Sequence, residues 1–526
     1  MNLTFEPRQP AGPLPWLVLV ICLAYLLAGS IGHDPWKSED TIGIAVAHDF
    51  YTGSDWLKPT LAGEAWTETA PLWHWTAAAT ATLTGAFLPF HDGARLASAL
   101  FGGLFLLLLA LTARRLYDKD AGWGAPLLAV GTLGLLMPLH EAQPASAILA
   151  TMAGVYWGAT LLAERPWRGA LVMGVSLAAS FLAGGLSGTL PLLILLLVPL
   201  LQKRYSAALI AACTGVALAA IWLLLIAQYE PAWGAAWWPH QFSAIEPRLG
   251  LTAEHAKFLG WFAWPVLYVA PWAIWRNRQR LTSPDIGIPL LGALSGLVWF
   301  LTHETNVSNA LPIIPPLILL AATGSARLRR GAANAWDWFG MTTFTITAAL
   351  VWLGYSALQL GWPPKLAASA LRLEPGFVAQ FSFLALLVAL TATLGWIFIL
   401  TRLPRSPWRV VSRWAAGLTV FWILLIALWV PWIDYGKTYR PVVASLQQTL
   451  PAGAGCIGRL SLGVPQRAVL AYHGGIRTRV DGKDCDWLII QSGPKEAAPD
   501  GWTRVWEGHR PGDRNERLRL YKRNDG

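Results

Sequence analysis

HDPWKSEDTIGIAVAHDFYTGSDWLKPTLAGEAWTETAPLWHW, residues 33–75, is the stretch on which the reading of this chain turns. It follows an apolar run at 16–31 and holds seven carboxylates, Asp34, Glu39, Asp40, Asp49, Asp55, Glu64 and Glu68, against two lysines, Lys37 and Lys58. Only 13% of the whole chain is charged. Acids gathered just beyond a first membrane segment, among tryptophans, point to a site at a membrane surface where a group is held or deprotonated.

Outward from that stretch the class is plain. The 526 residues are 55% hydrophobic with 31 Trp, and the mean hydropathy is +0.44. Nearly uncharged windows of about 20 residues, the length that crosses a hydrocarbon core, recur along most of the chain. Thirteen such spans are expected, at 15–32, 93–113, 123–139, 145–163, 167–184, 186–202, 206–227, 257–275, 284–302, 309–326, 337–360, 377–401 and 410–433. The segment 71–90, rich in Thr and Trp at its start, reads as an interfacial helix rather than a further span.

Basic residues fall in clusters between alternate spans: Arg114, Arg115 and Lys119; Arg165 and Arg168; Lys203 and Arg204; Arg276, Arg278 and Arg280; Arg327, Arg329 and Arg330; Arg402, Arg405, Arg409 and Arg413. The opposite loops 140–144 and 303–308 have no Lys or Arg, and 361–376 has only Lys365 and Arg372. By the positive-inside rule the N-terminus, with Arg8, is cytoplasmic, and 33–92, 228–256 and the tail are outside. No small-residue cleavage site follows the first apolar run, so that span is expected to be retained. The net charge of +10 is spent on these loops, which leaves nucleic acid without a binding face.

Beyond residue 435 the chain turns polar, with short apolar runs between Gly- and Pro-containing turns. Two domains are expected: a membrane domain, 1–435, that includes the loop 33–92, and a small α/β domain, 436–526. Cys456 and Cys485 lie in the latter and would pair in an oxidising compartment. Neither a Walker loop, nor GxGxxG, HExxH or CxxC occurs, which argues against a nucleotide-driven pump and a zinc protease.

The order of an acidic pair, then SDWL-x-P-x-L-x-G-E-x-W-x-E-x-x-P-L-W-x-W, then F-x-D-G-A-R-L-A-S-A-L resembles the start of the GT-C glycosyltransferases that use polyprenyl-phosphate sugars. The closest groups are the aminoarabinose transferases and the protein O-mannosyltransferase-like families. Glu39, Asp40, Asp55, Trp56, Leu57, Pro59, Gly63, Glu64, Glu68, Pro71, Leu72, Trp75 and Arg95 carry the resemblance. Residues 261–272 and 309–324 extend it along the chain. The resemblance implies a multi-pass bacterial inner-membrane enzyme with an extracytoplasmic α/β domain. Such an enzyme takes a sugar from a polyprenyl-phosphate donor to a lipid, glycan or protein acceptor, with inversion. It also implies Glu39 as the main carboxylate, with Asp40 orienting it. Neighbours on a helix point about 100° apart, so one of the two faces the reacting carbon. The alternative is that Ser38 caps a helix running to Tyr51 and both acids merely favour its N-terminal dipole.

Departures from the family pattern remove lysines that would grip a lipid phosphate. Glu68-Thr69-Ala70-Pro71 stands where relatives have Glu-Lys-Pro-Pro, Gly184-Gly185-Leu186 where they have Lys-Gly-Pro, and His303-Glu304-Thr305-Asn306 where they have Ser-x-x-Lys. Arg95, Lys58, Lys37, Arg248 and Lys257 are candidate substitutes, each also able to snorkel to headgroups. Glu68, His74, His240 and His303 are further candidates for substrate contact, with Gln241 beside His240. No cofactor is implied; a divalent cation could be held by His303 and Glu304 only with a third ligand that the sequence does not supply. His140 and Glu141 receive no role from the resemblance. A transporter or non-catalytic lipid-binding scaffold is the competing class, but it should place ionisable groups deep within spans, and these spans are nearly uncharged.

Overall fold

The computed structural model describes residues 12–524 other than 37, 54, 249, 251, 452, 481, 483 and 497. Arg8 and Lys37 therefore lie outside the described residues. The chain is a helical bundle, as its apolar windows require, because a backbone in hydrocarbon must satisfy its own hydrogen bonds. Among the described residues eight helices are long and apolar enough to cross a membrane, and nine if one bent pair is a single span. Two shorter apolar helices, Pro15–Leu27 and Ala145–Leu161, pack into the same core.

The thirteen expected windows all include helical residues, but the count of thirteen is not reproduced among the described residues, and three windows depart from simple rods. Residues 257–275 form two helices, Ala253–Phe262 and Val266–Arg276, bent by 92°. The 123–139 window is helical only over Lys119–Val130, and a short 3-10 turn at Leu133–Leu135 follows. The third departure is Gly185, whose φ of 61° breaks the Pro166–Thr189 helix. Ser180 Oγ donates to the Gly188 carbonyl at 2.9 Å. Eight residues of straight helix would separate these groups by about 12 Å, so the chain doubles back at Gly185.

Contacts between loops give the bundle two chemically different ends. At one, Arg204 donates to the Ala163 carbonyl, Arg115 pairs with Glu164, and the Tyr117 hydroxyl donates to the Asp285 carbonyl. These are the basic loops. At the other end lie residues 32–89, the 140–144 loop, Gly185 with Gln241, and the C-terminal domain.

That second end is layered. The Glu39–Thr52 helix, a two-stranded hairpin (Thr60–Leu61 with Glu64–Ala65) and the Leu72–Thr84 helix lie over the ends of the spans. The Leu72–Thr84 helix is short and separate from the Phe90–Leu116 span. The loop 55–59 is tied down by indoles: Trp75 Nε1 donates to the Trp56 carbonyl, Trp222 Nε1 to Leu57 and Trp233 Nε1 to Pro59. These three tryptophans thus serve as apolar bodies with one donor each, directed at carbonyls of this loop.

After the last span, Arg409–Lys437, the chain forms a five-stranded mixed sheet. Its order is Arg479–Val480, Ile457–Leu460, Trp487–Ser492, Arg517–Arg523, Trp502–Gly508, with the first three parallel and the last two antiparallel. Helices Arg440–Thr449 and Val464–Gly474 cover it, and Val443, Leu446, Val469, Ile489 and Leu520 are in its core. Cys456 and Cys485 are joined as a disulfide. Replacing both with Ser should lower the stability of this sheet domain by about 2–4 kcal/mol, since the bridge closes a loop of moderate length in the unfolded chain. Faster proteolytic cleavage within 438–524, with the helical bundle unchanged, is the expected readout.

Candidate active site

One buried arginine organises the acidic end. Arg95, fully buried in the Phe90–Leu116 helix, donates through Nε and Nη2 to the two Asp40 oxygens at 3.0 and 2.8 Å. Its Nη1 reaches Asp92 at 3.1 Å and the His33 carbonyl at 2.9 Å, and Nη2 also reaches the Asp34 carbonyl at 3.0 Å. A guanidinium has five N–H donors, and all of them have protein acceptors here. Arg95 is therefore a strut, and the expectation that it contacts substrate is corrected: no donor is left for a phosphate.

Asp40 is equally saturated. Besides Arg95 it accepts from the backbone N–H of Ala142 at 2.8 Å and of Trp36 at 3.1 Å. Burial pushes its carboxyl up, but the Arg95 charge and these hydrogen bonds outweigh it and hold the pKa at about 2. Gly43, one turn on, permits this docking: a Cβ there would meet the Ala142 carbonyl oxygen at 1.8 Å. Ser38 makes no side-chain cap to the helix, so dipole capping is not what places the acidic pair.

Glu39 is different. It begins the same helix, is exposed at the surface, and hydrogen-bonds to no described residue. Crowding by the surrounding protein raises its pKa, and the charge of Glu68, also exposed, raises it further. Beside this pair lies Glu141, half-buried in the loop after Leu139 and accepting from Gln143 Nε2 at 2.7 Å. Burial and then the charges of Asp40 and Glu39 push its pKa to about 8, so it carries a proton at neutral pH. The sequence reading gave Glu141 no part; an acid next to a span end, on the same face as the acidic pair, was the available signal.

The other sequence candidates divide. His74 is buried on the Leu72–Thr84 helix, with Nε2 2.9 Å from Thr69 Oγ1. That hydroxyl also accepts from Trp66 Nε1 at 3.0 Å, and His74 stays neutral because burial takes its pKa to about 3. His74 thus braces the fold, and Thr69 occupies the place of a family lysine by joining two buried rings. Lys58 pairs with Glu230 at 2.5 Å and Asp55 at 3.6 Å, which ties the 55–59 loop to the next helix.

His240 is half-buried on the Pro231–Ala244 helix, while Gln241 turns inward to accept from the Leu186 N–H at 3.0 Å. His303 stacks on Trp299 with ring centroids 3.9 Å apart, and its carbonyl accepts from His255. Glu304 faces Arg248 instead, so the pair does not form a metal site. Among the described residues no contact joins His240 or His303 to Glu39, and no three His, Cys, Asp or Glu side chains converge on a metal position.

The C-terminal domain closes this end. Asp34 takes both Arg440 and the Thr438 hydroxyl, the latter at 2.6 Å, and its own N–H donates to Asp434 at 3.0 Å. Glu64 of the hairpin is gripped by Arg459 at 2.7 Å and Arg467 at 2.9 Å. Arg467 also feels the charge of Glu68. The Tyr472 hydroxyl lies 2.8 Å from His91 Nδ1.

A helical membrane bundle with an acidic end under a small α/β domain is the fold of solved GT-C proteins. The solved structures agree: ArnT from Cupriavidus metallidurans bound to undecaprenyl phosphate superposes with a TM-score of 0.68 at 15% identity, covering 96% of this chain and 97% of that one. Its apo state gives 0.63 at 16% identity, with the same coverage. By sequence, the chain is 27% identical over 462 residues to the undecaprenyl phosphate-alpha-4-amino-4-deoxy-L-arabinose arabinosyl transferase of Pseudomonas savastanoi pv. phaseolicola, 83% of this chain and 81% of the relative. A second such transferase, from Pseudomonas fluorescens, is 25% identical over 441 residues, 79% and 71% of the two chains. No protein-family model matches. The resemblance drawn from 33–100 thus extends along most of the chain.

The proton on Glu141 has a consequence for stability. Its pKa is near 8 in the folded protein against an ordinary 4.5, so the folded state holds more protons than the unfolded one between those values, and stability should fall as pH rises through that window. Glu141→Gln should flatten that slope, as read by thermal unfolding from pH 5 to about 9.

Proposed function

We propose that this chain is a membrane glycosyltransferase that moves a sugar from a polyprenyl-phosphate carrier to a lipid, glycan or protein acceptor, with inversion at the anomeric carbon. The acidic end is the reaction face. The clustering of Arg and Lys at the opposite end supports a bacterial inner-membrane orientation with the N-terminus cytoplasmic and the sheet domain periplasmic. The named transferase relatives support the donor class. A transporter on this fold is less favoured, because the acids sit at one face rather than along the spans.

The observation that carries the catalytic assignment is the contrast within one dipeptide. Asp40 is saturated and ionised, whereas Glu39 is exposed, lacks a hydrogen bond to any described residue and has a raised pKa. A group that takes a proton from an acceptor, or polarises its nucleophile, must be free to reach it and must have its affinity tuned towards neutrality. Glu39 meets both conditions. Asp40, held by Arg95, is a positioning residue that fixes the first turn of the helix from which Glu39 projects.

With purified protein and a panel of polyprenyl-phosphate sugars, Glu39→Gln should abolish transfer, by about 100-fold or more, while leaving the thermal midpoint unchanged. Asp40→Asn should lower both stability and turnover; native turnover in Glu39→Gln would remove the assignment. The acid limb of the kcat/KM profile should lie above the ordinary carboxylate range. In Glu68→Gln that limb should move to lower pH, because the like charge that holds the Glu39 proton is gone.

A further inference from the structure

At the basic end, away from Glu39, a cavity of about 700 Å³ opens between the Val266–Arg276 helix and the first turns of Arg330–Leu360. Tyr268, Trp272, Trp275, Trp336 and Phe339 wall it, and Arg329 stands in its lining. Tyr268, Trp275 and Phe339 are 57%, 58% and 44% exposed, so the cavity opens sideways to whatever surrounds the bundle. Nothing in the transfer reaction as described uses it.

Two features say what fits there. The walls are aromatic and almost without polar groups, which suits hydrocarbon chains. The rim is cationic: Arg276 lies 5.6 Å over the Trp272 ring, Arg278 lies 4.9 Å over Trp275, and Arg329 completes it. The neighbouring acid does not repel an anion, because Asp337 is neutralised by Arg409 at 3.1 Å and Arg413 at 2.8 Å.

We propose that this groove binds an anionic phospholipid, with its chains along the aromatic walls and its phosphate at the rim formed by Arg329, Arg276 and Arg278. Basic pockets between helices at this end of membrane proteins attract anionic headgroups, and each arginine near the surface strengthens that attraction several-fold. The site is separate from the transfer site, since the 276–285 and 325–330 loops lie at the end of the bundle opposite Glu39.

The test uses the full-length chain, delipidated in a neutral detergent and titrated by native mass spectrometry. Phosphatidylglycerol, phosphatidylcholine and, in a parallel thermal-shift arm, inorganic phosphate are the probes. Phosphatidylglycerol should bind about fivefold or more tighter than phosphatidylcholine, and inorganic phosphate should give no stabilisation. Arg278→Gln and Arg329→Gln should each weaken phosphatidylglycerol while leaving phosphatidylcholine unchanged. Equal binding of the two lipids by the native chain would overturn the proposal, as would native affinity in both variants. Stabilisation by phosphate alone would reassign the groove to a free anion. Because the native chain by itself decides the lipid preference, a variant that folds poorly does not rescue the idea.

Discussion

The acidic end depends on one ion pair. Arg95 and Asp40 are both buried, and each is saturated by further hydrogen bonds to backbone drawn from separate parts of the chain: His33 and Asp34 to the arginine, Trp36 and Ala142 to the aspartate. A buried charge left alone costs several kcal/mol, of the order of 3–5 when one partner is removed, so these segments are held in register by what separation would cost. The loop after the first helix, the start of the Phe90–Leu116 span and the 140–144 loop thereby become one body. The ladder continues through Asp34 to Arg440, and so to the sheet domain.

Rigidity there is what makes a free carboxylate meaningful. Glu39 sits one residue before the aspartate that is locked, on the same first helical turn, and the helical rotation of about 100° sends it out where Asp40 goes in. Its surroundings are acidic on three sides, from Asp40, Glu68 and Glu141, and protons distribute unequally among them: Asp40 has none at neutral pH and Glu141 keeps one. Charges that cannot all ionise together are separated by their environments, which is how one site can hold both an ionised and a protonated carboxyl group.

The family lysines that are missing from this chain have been replaced by packing rather than by other cations. Thr69 bonds two buried rings, Gly185 turns the chain back beneath Gln241, and His303 lies flat on Trp299. Cationic character at this end instead arrives from the sheet domain, where Arg459, Arg467 and Arg440 reach the acids of 34–64 across nearly the full length of the sequence. The C-terminal domain is thus part of the electrostatics of the acidic end.

What the sequence by itself determined was whatever depends on local composition. Apolar windows with basic loops set the class, the bundle and its two ends; the acidic run of 33–75 marked the proposed site; and the adjacency of Glu39 and Asp40 meant that they would face different ways. Tertiary structure decided which groups were already spent. Only Asp92, one helical turn away, is a local partner of Arg95; its other acceptors are the backbone of 33 and 34 and the side chain at 40. The proton on Glu141 and the neutrality of His74 follow from burial, and the reversal at Gly185 and the 92° bend at 262–266 follow from packing. Desolvation and hydrogen-bond saturation are sums over neighbours from the whole chain, so they emerge only once it is folded.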